Sequence, residues 1–415
     1  MNKTNRMIMK KVTIACMAAL SVCLPSCSSD GETPVDNREP QPIRLTVNER
    51  TIVSEANALS PTLLSGVLKH SLNDDVAVSP LSATIYFSML ANAAEGEDRD
   101  RILELLGSPD IDELNTLTAH YLEGLPLADP ARVDIALANN VWFNADFESS
   151  ATTDFLQTLS TLYGVEPQSL PFASKPDDSA KSINRWISDN TDGLITNFYS
   201  ADELRMVPVA WVNTLYFKGK WSTPFDASKT HKAKFHDING QEIGTVDMMT
   251  GELYGAIIST EKGTTITVPY GNNVFEMTLF VPADGITLEE GAQELLSHSY
   301  GKQYSIKLSM PKFKINWRYI VDTLLDESVK DVELANVHSK YSDPLRTSDF
   351  TTEQSVVIEV DEQGTKAAAV TGSTGLISPG PVEMKEFVID RQFVFMIKER
   401  ASDAILFMGA KRRAN

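Results

Sequence analysis

The segment that most constrains this 415-residue chain is the junction at residues 356–371. Val356-Val357-Ile358-Glu359-Val360 is apolar and β-branched, the signature of a buried strand. It runs into Asp361-Glu362-Gln363-Gly364-Thr365-Lys366-Ala367-Ala368-Ala369-Val370-Thr371. The alanine run lacks the polar turn chemistry of a loop and is too short for a stable isolated helix. Small side chains on such a segment fit one task well. They let it slide between two existing strands, where bulky groups would pry a sheet apart.

A formal charge of -19 argues against nucleic acid as a partner, because that field repels polyphosphate. The length allows one large or two ordinary domains, and a hydrophobic content of 42% argues against wholesale disorder. The body shows neither an internal repeat nor a membrane span. At the N-terminus, Lys3, Arg6, Lys10 and Lys11 precede an apolar run from Val12 to Leu24, a signal-peptide core too short to cross a bilayer.

Leu24-Pro25-Ser26-Cys27 then resembles the lipobox of bacterial lipoproteins. The resemblance implies a signal peptide over residues 1–26, cleavage before Cys27, and lipid on its sulfur and new amino group. Cys27 is then a membrane anchor, stable because more than one acyl chain holds it. An ordinary cleaved signal with a chance cysteine is the alternative. Asp30 and Glu32 are similar to sorting signals of some Gram-negative lipoproteins, which points to the outer membrane and its outer face. Cys16 and Cys23 lie inside the signal, so the mature body has no disulfide and depends on its core. Residues 27–50, with Pro34, Pro40 and Pro42, read as a flexible tether, and residues 51–415 as the folded domain.

Helices dominate the first part of that domain and strands the second. Ser79 reads as an N-cap with Pro80 at the first helical position and Leu81, Ile85 and Met89 on one stripe. Further helices are expected near Asp100 to Leu106, ending at Gly107, and over residues 179–190 with Ala180, Ile183 and Ile187 together. Val207 to Phe217 reads as a central strand covered on both faces. Thr264 to Val268 and Val274 to Val281 flank Tyr270-Gly271-Asn272-Asn273 as a hairpin, and Phe387 to Lys398 with Ala404 to Gly409 form a last pair. The class is α+β with large antiparallel sheets.

Eight blocks carry a family resemblance. They are Ser79-Pro80-Leu81-Ser82, Ala138-Asn139-Asn140-Val141-Trp142-Phe143, Asn213 to Trp221, Pro224-Phe225-Asp226, Met310-Pro311-Lys312-Phe313-Lys314, Ser348-Asp349-Phe350, Glu362 to Thr371, and Ile405-Leu406-Phe407-Met408-Gly409. In order and spacing the chain resembles the serpins over about residues 51 to 415. The resemblance implies three β-sheets, about nine helices and an exposed reactive-centre loop at about 364–386. It further implies a suicide-substrate inhibitor of serine or cysteine proteases, monomeric and without cofactor or metal. A protease attacks the loop and forms an acyl-enzyme, and the freed loop enters the central sheet and distorts the enzyme before deacylation. The alternative is a non-inhibitory member acting as a surface carrier or adhesive protein.

The same resemblance assigns residues. The hinge is Glu362, Gly364, Thr365, Ala367, Ala368, Ala369 and Thr371, with Thr365, Ala367, Ala369, Thr371 and Ser373 facing inward once inserted and Lys366 and Val370 outward. The family's spacing puts the cut after Ser378, but Pro379 follows, and a prolyl bond is poorly cleaved. The favoured bond is Ile377–Ser378, with Leu376–Ile377 second, which directs the bait to elastase-like, chymotrypsin-like or subtilisin-like enzymes. Ser79, Ser82, Asn213 and Gln354 match the gate through which the sheet opens. Gln354 stands where the family usually has histidine, and Gly372 and Gly375 weaken the inserting strand.

Enzyme readings fail on the residues. His70, His120, His231, His236, His298 and His338 form no metal-spaced set, and there is neither a Gly-x-Ser-x-Gly elbow nor a phosphate-cradling glycine loop. Asp74-Asp75, Asp177-Asp178 and Glu289-Glu290 read as solvated surface, and the five tryptophans as core.

Overall fold

The computed structural model describes residues 38–414 apart from 72, 298–300, 322–330, 351–352 and 366–383. Cys27, residues Ala367, Ala368, Ala369 and Thr371 of the hinge, and both candidate bonds around Ile377 lie outside the described residues.

The fold begins earlier than residue 51. Thr46 Oγ1 accepts the Glu49 N–H at 3.2 Å while Glu49 Oε2 accepts the Thr46 N–H at 2.7 Å, a reciprocal cap that starts α1 (Val47–Ala58). Ahead of it Ile43 is buried and the Gln41 N–H donates to the carbonyls of Leu127 and Ala128. The tether expected through residue 50 therefore gives up its last ten residues to the body. Its polar sequence hid a capping box.

Eight further α-helices follow among the described residues: α2 (Ser60–His70), α3 (Pro80–Ala93), α4 (Gly96–Leu105), α5 (Ile111–Ala128), α6 (Thr153–Leu162), α7 (Pro176–Asn190), α8 (Ala201–Leu204) and α9 (Leu288–Ser297). Ser79 Oγ caps α3 by accepting the Ser82 N–H, with Pro80 in the first turn as expected. The expected stripe underestimates this helix, which is buried on every side and leaves only Asn92 part-exposed. The helix ending at Gly107 starts at Gly96 rather than near Asp100, and Gly107 stops it with φ +62°.

The early strands are β1 (Val76–Val78), β2 (Val133–Asn144), β3 (Ser150–Ala151), β4 (Gln168–Leu170), β5 (Val209–Gly219), β6 (His231–His236), β7 (Glu242–Thr260), β8 (Gly263–Tyr270) and β9 (Phe275–Pro282). The later ones are β10 (Lys302–Pro311), β11 (Phe313–Ile320), β12 (Glu333–Leu334), β13 (Val337–His338), β14 (Leu345–Arg346), β15 (Glu353–Asp361), β16 (Gly364–Thr365), β17 (Met384–Val388), β18 (Phe393–Glu399) and β19 (Ile405–Lys411). A nine-stranded sheet runs β1-β19-β18-β9-β8-β7-β10-β17, with β6 on β7. Its β8–β9 hairpin forms as expected and closes with Tyr270 opposite Phe275.

One predicted strand, Phe387 to Lys398, is two. β17 pairs in parallel with β10, the Ile389 N–H reaches the Ser309 carbonyl, and the polar Asp390-Arg391-Gln392 breaks the run before β18. Asp75 is likewise not a solvated acid: its carboxylate takes the Lys411 ammonium at 2.8 Å and the Arg412 and Arg413 N–H groups, pinning the C-terminal strand.

Among the described residues the central sheet consists of two hydrogen-bonded halves, β4-β2-β5 and β11-β15-β16. β5 and β15 touch along the seam but share no ladder among the described residues. β5 is apolar on both faces, as expected, because α3 lies on one side and Ile183 and Ile187 of α7, with Phe198 beyond it, pack on the other. No described helix is long and apolar enough to cross a membrane.

Candidate functional site: the hinge and the seam

Gly364 is where the small-residue run begins and where its geometry is fixed. Asp361 Oδ1 accepts the N–H groups of Gln363 and Gly364, turning the chain back on β15 so that Thr365 pairs with Val360 and Gly364 with Asp361. On its other side Gly364 bridges to Lys220, just beyond the end of β5. A Cβ on Gly364 would lie 2.0 Å from the Gly219 carbonyl oxygen, and its φ is +144°. β16 therefore sits between the two half-sheets, paired on both sides, with room for no side chain at its first residue.

Six polar contacts hold this turn. Trp221 donates its indole N–H to the Asp361 carbonyl at 2.9 Å and its backbone N–H to the Gln363 carbonyl, while Phe225 N–H reaches the Glu362 carbonyl. The Trp221 ring stacks on Tyr270 at 4.2 Å, and the Tyr270 hydroxyl lies 3.0 Å from Thr365 Oγ1. The Glu362 carboxylate takes the Lys312 ammonium at 2.8 Å and the Thr230 hydroxyl at 2.6 Å. Burial pushes the Glu362 pKa up, but the hydrogen bonds from Lys312 and Thr230 outweigh it and hold the carboxyl below its usual range. Burial raises the Asp361 pKa, only partly offset by the two N–H groups it accepts.

The gate residues gather at the seam, though not all in one chain of bonds. Burial keeps the Tyr319 phenol protonated, and it donates to Gln354 Oε1 while accepting the Ser79 N–H at 3.0 Å. Ser79 Oγ in turn donates to the Leu406 carbonyl. Asn213 instead donates from Nδ2 to Asn139 Oδ1, its partner across β5 and β2. Ser82 Oγ, Asn213 Oδ1 and Gln354 Nε2 are buried with no hydrogen-bond partner among the described residues. Lys220 and Asp361 flank Gly364 in one row, and Asn213 and Gln354 each lie seven residues back from it. They therefore face one another across the seam at equal depth.

Sequence reasoning singled out Glu362, Gly364 and Thr365 and the gate candidates Ser79, Ser82, Asn213 and Gln354, but missed Lys312, Thr230, Trp221, Tyr270 and Tyr319. Lys312 and Trp221 sat inside quoted blocks. Tyr319 had no one-dimensional signal, since its role comes from standing opposite Gln354 across the β11–β15 pair. Among the described residues no cluster of His, Cys, Asp or Glu could hold a metal ion.

The family profile described as "Serpin (serine protease inhibitor)" matches residues 54–413. The chain belongs to the serpin family. Among curated serpins it is similar to Serpin-Z10 of Arabidopsis thaliana, 29% identical over 364 residues that make up 81% of this chain and 90% of that one. Among solved structures, Serpin48 of the insect Tenebrio molitor has a TM-score of 0.75 at 23% identity, over 89% of this chain and all of its own. Human thyroxine-binding globulin, solved with its hormone, has the same fold at a TM-score of 0.74 and 22% identity, over 88% of this chain and 100% of its own. In this serpin fold β5 and β15 are the strands of the central sheet that border the seam.

Proposed function

We propose that this serpin is a suicide-substrate inhibitor of serine endopeptidases, and of cysteine endopeptidases by the same acyl-enzyme chemistry. The observation that carries the reading is β16: the first residues of the loop already form a strand between β15 and the end of β5. A target attacks the carbonyl carbon of Ile377, the Ser378 amine leaves, and the loop end remains esterified to the enzyme's nucleophile. Insertion that continues the two observed registers sets Ala367 between Phe217 and Ile358, Ala369 between Leu215 and Val356, and Thr371 between Asn213 and Gln354. The first two pairs are buried and apolar, which suits alanine. The third offers a carbonyl oxygen and an amide N–H that have no partner among the described residues, which suits a threonine hydroxyl. The bait's apolar and small residues direct it to elastase-like, chymotrypsin-like or subtilisin-like enzymes.

Lipid on Cys27 would anchor the inhibitor to the outer membrane, with the residues before Gln41 as its tether; the lipobox-like sequence supports this part of the proposal. A second reading, a carrier, draws on the likeness to thyroxine-binding globulin and on a groove of 460 Å³ bounded by Arg50, Asn57, Leu296, Met396 and Asp403. Incubation with subtilisin or pancreatic elastase, followed by denaturing electrophoresis and mass spectrometry, separates the two. An inhibitor gives a covalent complex and a released C-terminal peptide beginning at Ser378 or Ile377. A carrier is cut without trapping the enzyme.

A further inference from the structure

Glu399 ends β18 with a carboxylate that neither the hinge nor the gate uses, and it is wholly buried. Its Oε2 accepts the Ser402 N–H and the Ser402 hydroxyl, both at 2.6 Å. Its Oε1 is buried with no hydrogen-bond partner among the described residues. The cations beside it in the chain are engaged elsewhere, Lys398 with Glu276 and Asp403 and Arg400 with Glu276. The turn that follows, residues 400–404, is tied to α1. Arg50 Nη1 donates to the Ala401 carbonyl at 3.2 Å, Asn57 Nδ2 donates to the Asp403 carbonyl at 2.8 Å, and Asn57 Oδ1 accepts the Ile405 N–H at 3.1 Å. The buried phenol of Tyr121 on α5 stands beside Ser402. Next to Tyr121 in the chain, His120 Nδ1 lies 2.5 Å from Oε1 of Glu49, a second wholly buried carboxylate, on α1. The charged and titratable groups around the turn are thus Glu49 and Arg50 on α1, His120 and Tyr121 on α5, Lys398, Arg400 and Asp403 in the same chain segment, and Glu276 on β9.

We propose that Glu399 is a proton-operated clasp, which with a proton bound holds the β18–β19 turn firmly against α1 and α5 and when ionised holds it loosely. The geometry supplies the argument. A buried carboxylate with one oxygen lacking a donor and no cation against it is costly as an anion. A proton on Oε1 removes that charge and leaves Oε2 able to accept the same two Ser402 bonds. Burial accordingly pushes the Glu399 carboxyl above its usual range; the Ser402 and Ala401 donors offset only part of the rise, and the Asp403 carboxylate adds to it. The folded chain therefore binds this proton more tightly than the unfolded chain does. Stability from this group rises as pH falls from neutral towards the ordinary carboxylate range. The turn and α1 also wall the 460 Å³ groove, so the same proton sets how firmly that wall is held.

The test follows urea unfolding of the full chain from about pH 7.5 to about pH 5 for the wild type, Glu399→Gln and Ser402→Ala. Amide hydrogen exchange of α1 and residues 399–405 is measured at both ends of the range. Relative to Glu399→Gln, whose amide cannot take up the proton, the wild-type midpoint should rise as pH falls. Ser402→Ala removes one donor from Oε2 and should show a steeper rise than the wild type. After correction for intrinsic exchange, α1 and the turn should gain protection in acid in the wild type and not in Glu399→Gln. A difference between wild type and Glu399→Gln that stays constant across the range overturns the proposal, as does a wild type that loses ground in acid. A rising midpoint without added protection of α1 or the turn also overturns it, because Glu399 would then take up its proton without fastening either.

Discussion

Gly364 leaves no space for a methyl group, and the obstacles are backbone atoms of Gly219, Lys220 and Trp221 that cannot rotate away. Gly364→Ala is expected to lower stability by about 2–3 kcal/mol, read by urea unfolding, because both its φ and its neighbours oppose a side chain. A stability within a few tenths of wild type would contradict the observed β16. Glu362 makes a prediction with a pH sign. Its carboxyl is held below the ordinary value of 4.5, so its contribution is fully present above that pH and is lost as pH falls through the lower folded value. At pH 7, Glu362→Gln should cost about 1 kcal/mol, since solvent screens the part-exposed Lys312. The difference from wild type should shrink as pH falls below 4.5 through the lower folded value. A difference that persists there would assign the loss to packing instead of charge.

At the scale of elements, the seam between β5 and β15 decides whether a strand can enter. Continuing the β16 register puts residue 369 between Leu215 and Val356, which are 4% and 1% exposed. Ala369→Glu therefore asks the inserting strand to bury a carboxylate without a partner, a cost of several kcal/mol. The variant should still be cut at the same bond but trap the enzyme far less often. The number of inhibitor molecules consumed per enzyme should rise roughly tenfold or more, since each 1.4 kcal/mol is a factor of ten. Trapping as efficient as wild type would show that residue 369 does not face inward. Much of this was legible in one dimension, because strand alternation, helix caps and turn residues are local signals. Ser79-Pro80 at the start of α3 is one such case, and Tyr270 to Asn273 between β8 and β9 is another. What was not legible depends on partners far away in sequence. Tyr319 reaches Gln354 across 35 residues and Ser79 across 240, and no pattern near any of them announces it. The β17–β18 break was missed because an apolar run hid a change of partner strand. The start of α1 was missed because its cap is as polar as a tether.

On the scale of the whole molecule, two half-sheets meet without a shared ladder among the described residues, while Gly364 and Thr365 stand at the mouth of the seam. Buried polar atoms of Asn213, Gln354 and Ser82 have no partner there among the described residues, and each such bond left unmade costs about 1–3 kcal/mol. Insertion of the cut loop would supply ladder partners along both strands and a hydroxyl between the two amides. The inserted form should then be the more stable one, and under the proposed mechanism the energy released on insertion would hold a trapped enzyme. The most direct measurement is the melting temperature of the protein before and after its loop is cut between residues 376 and 378, with Ala369→Glu as the control. Insertion predicts that the cut wild type melts well above the intact protein while the cut control does not. A cut wild type that melts at or below the intact protein would contradict insertion at the β5–β15 seam.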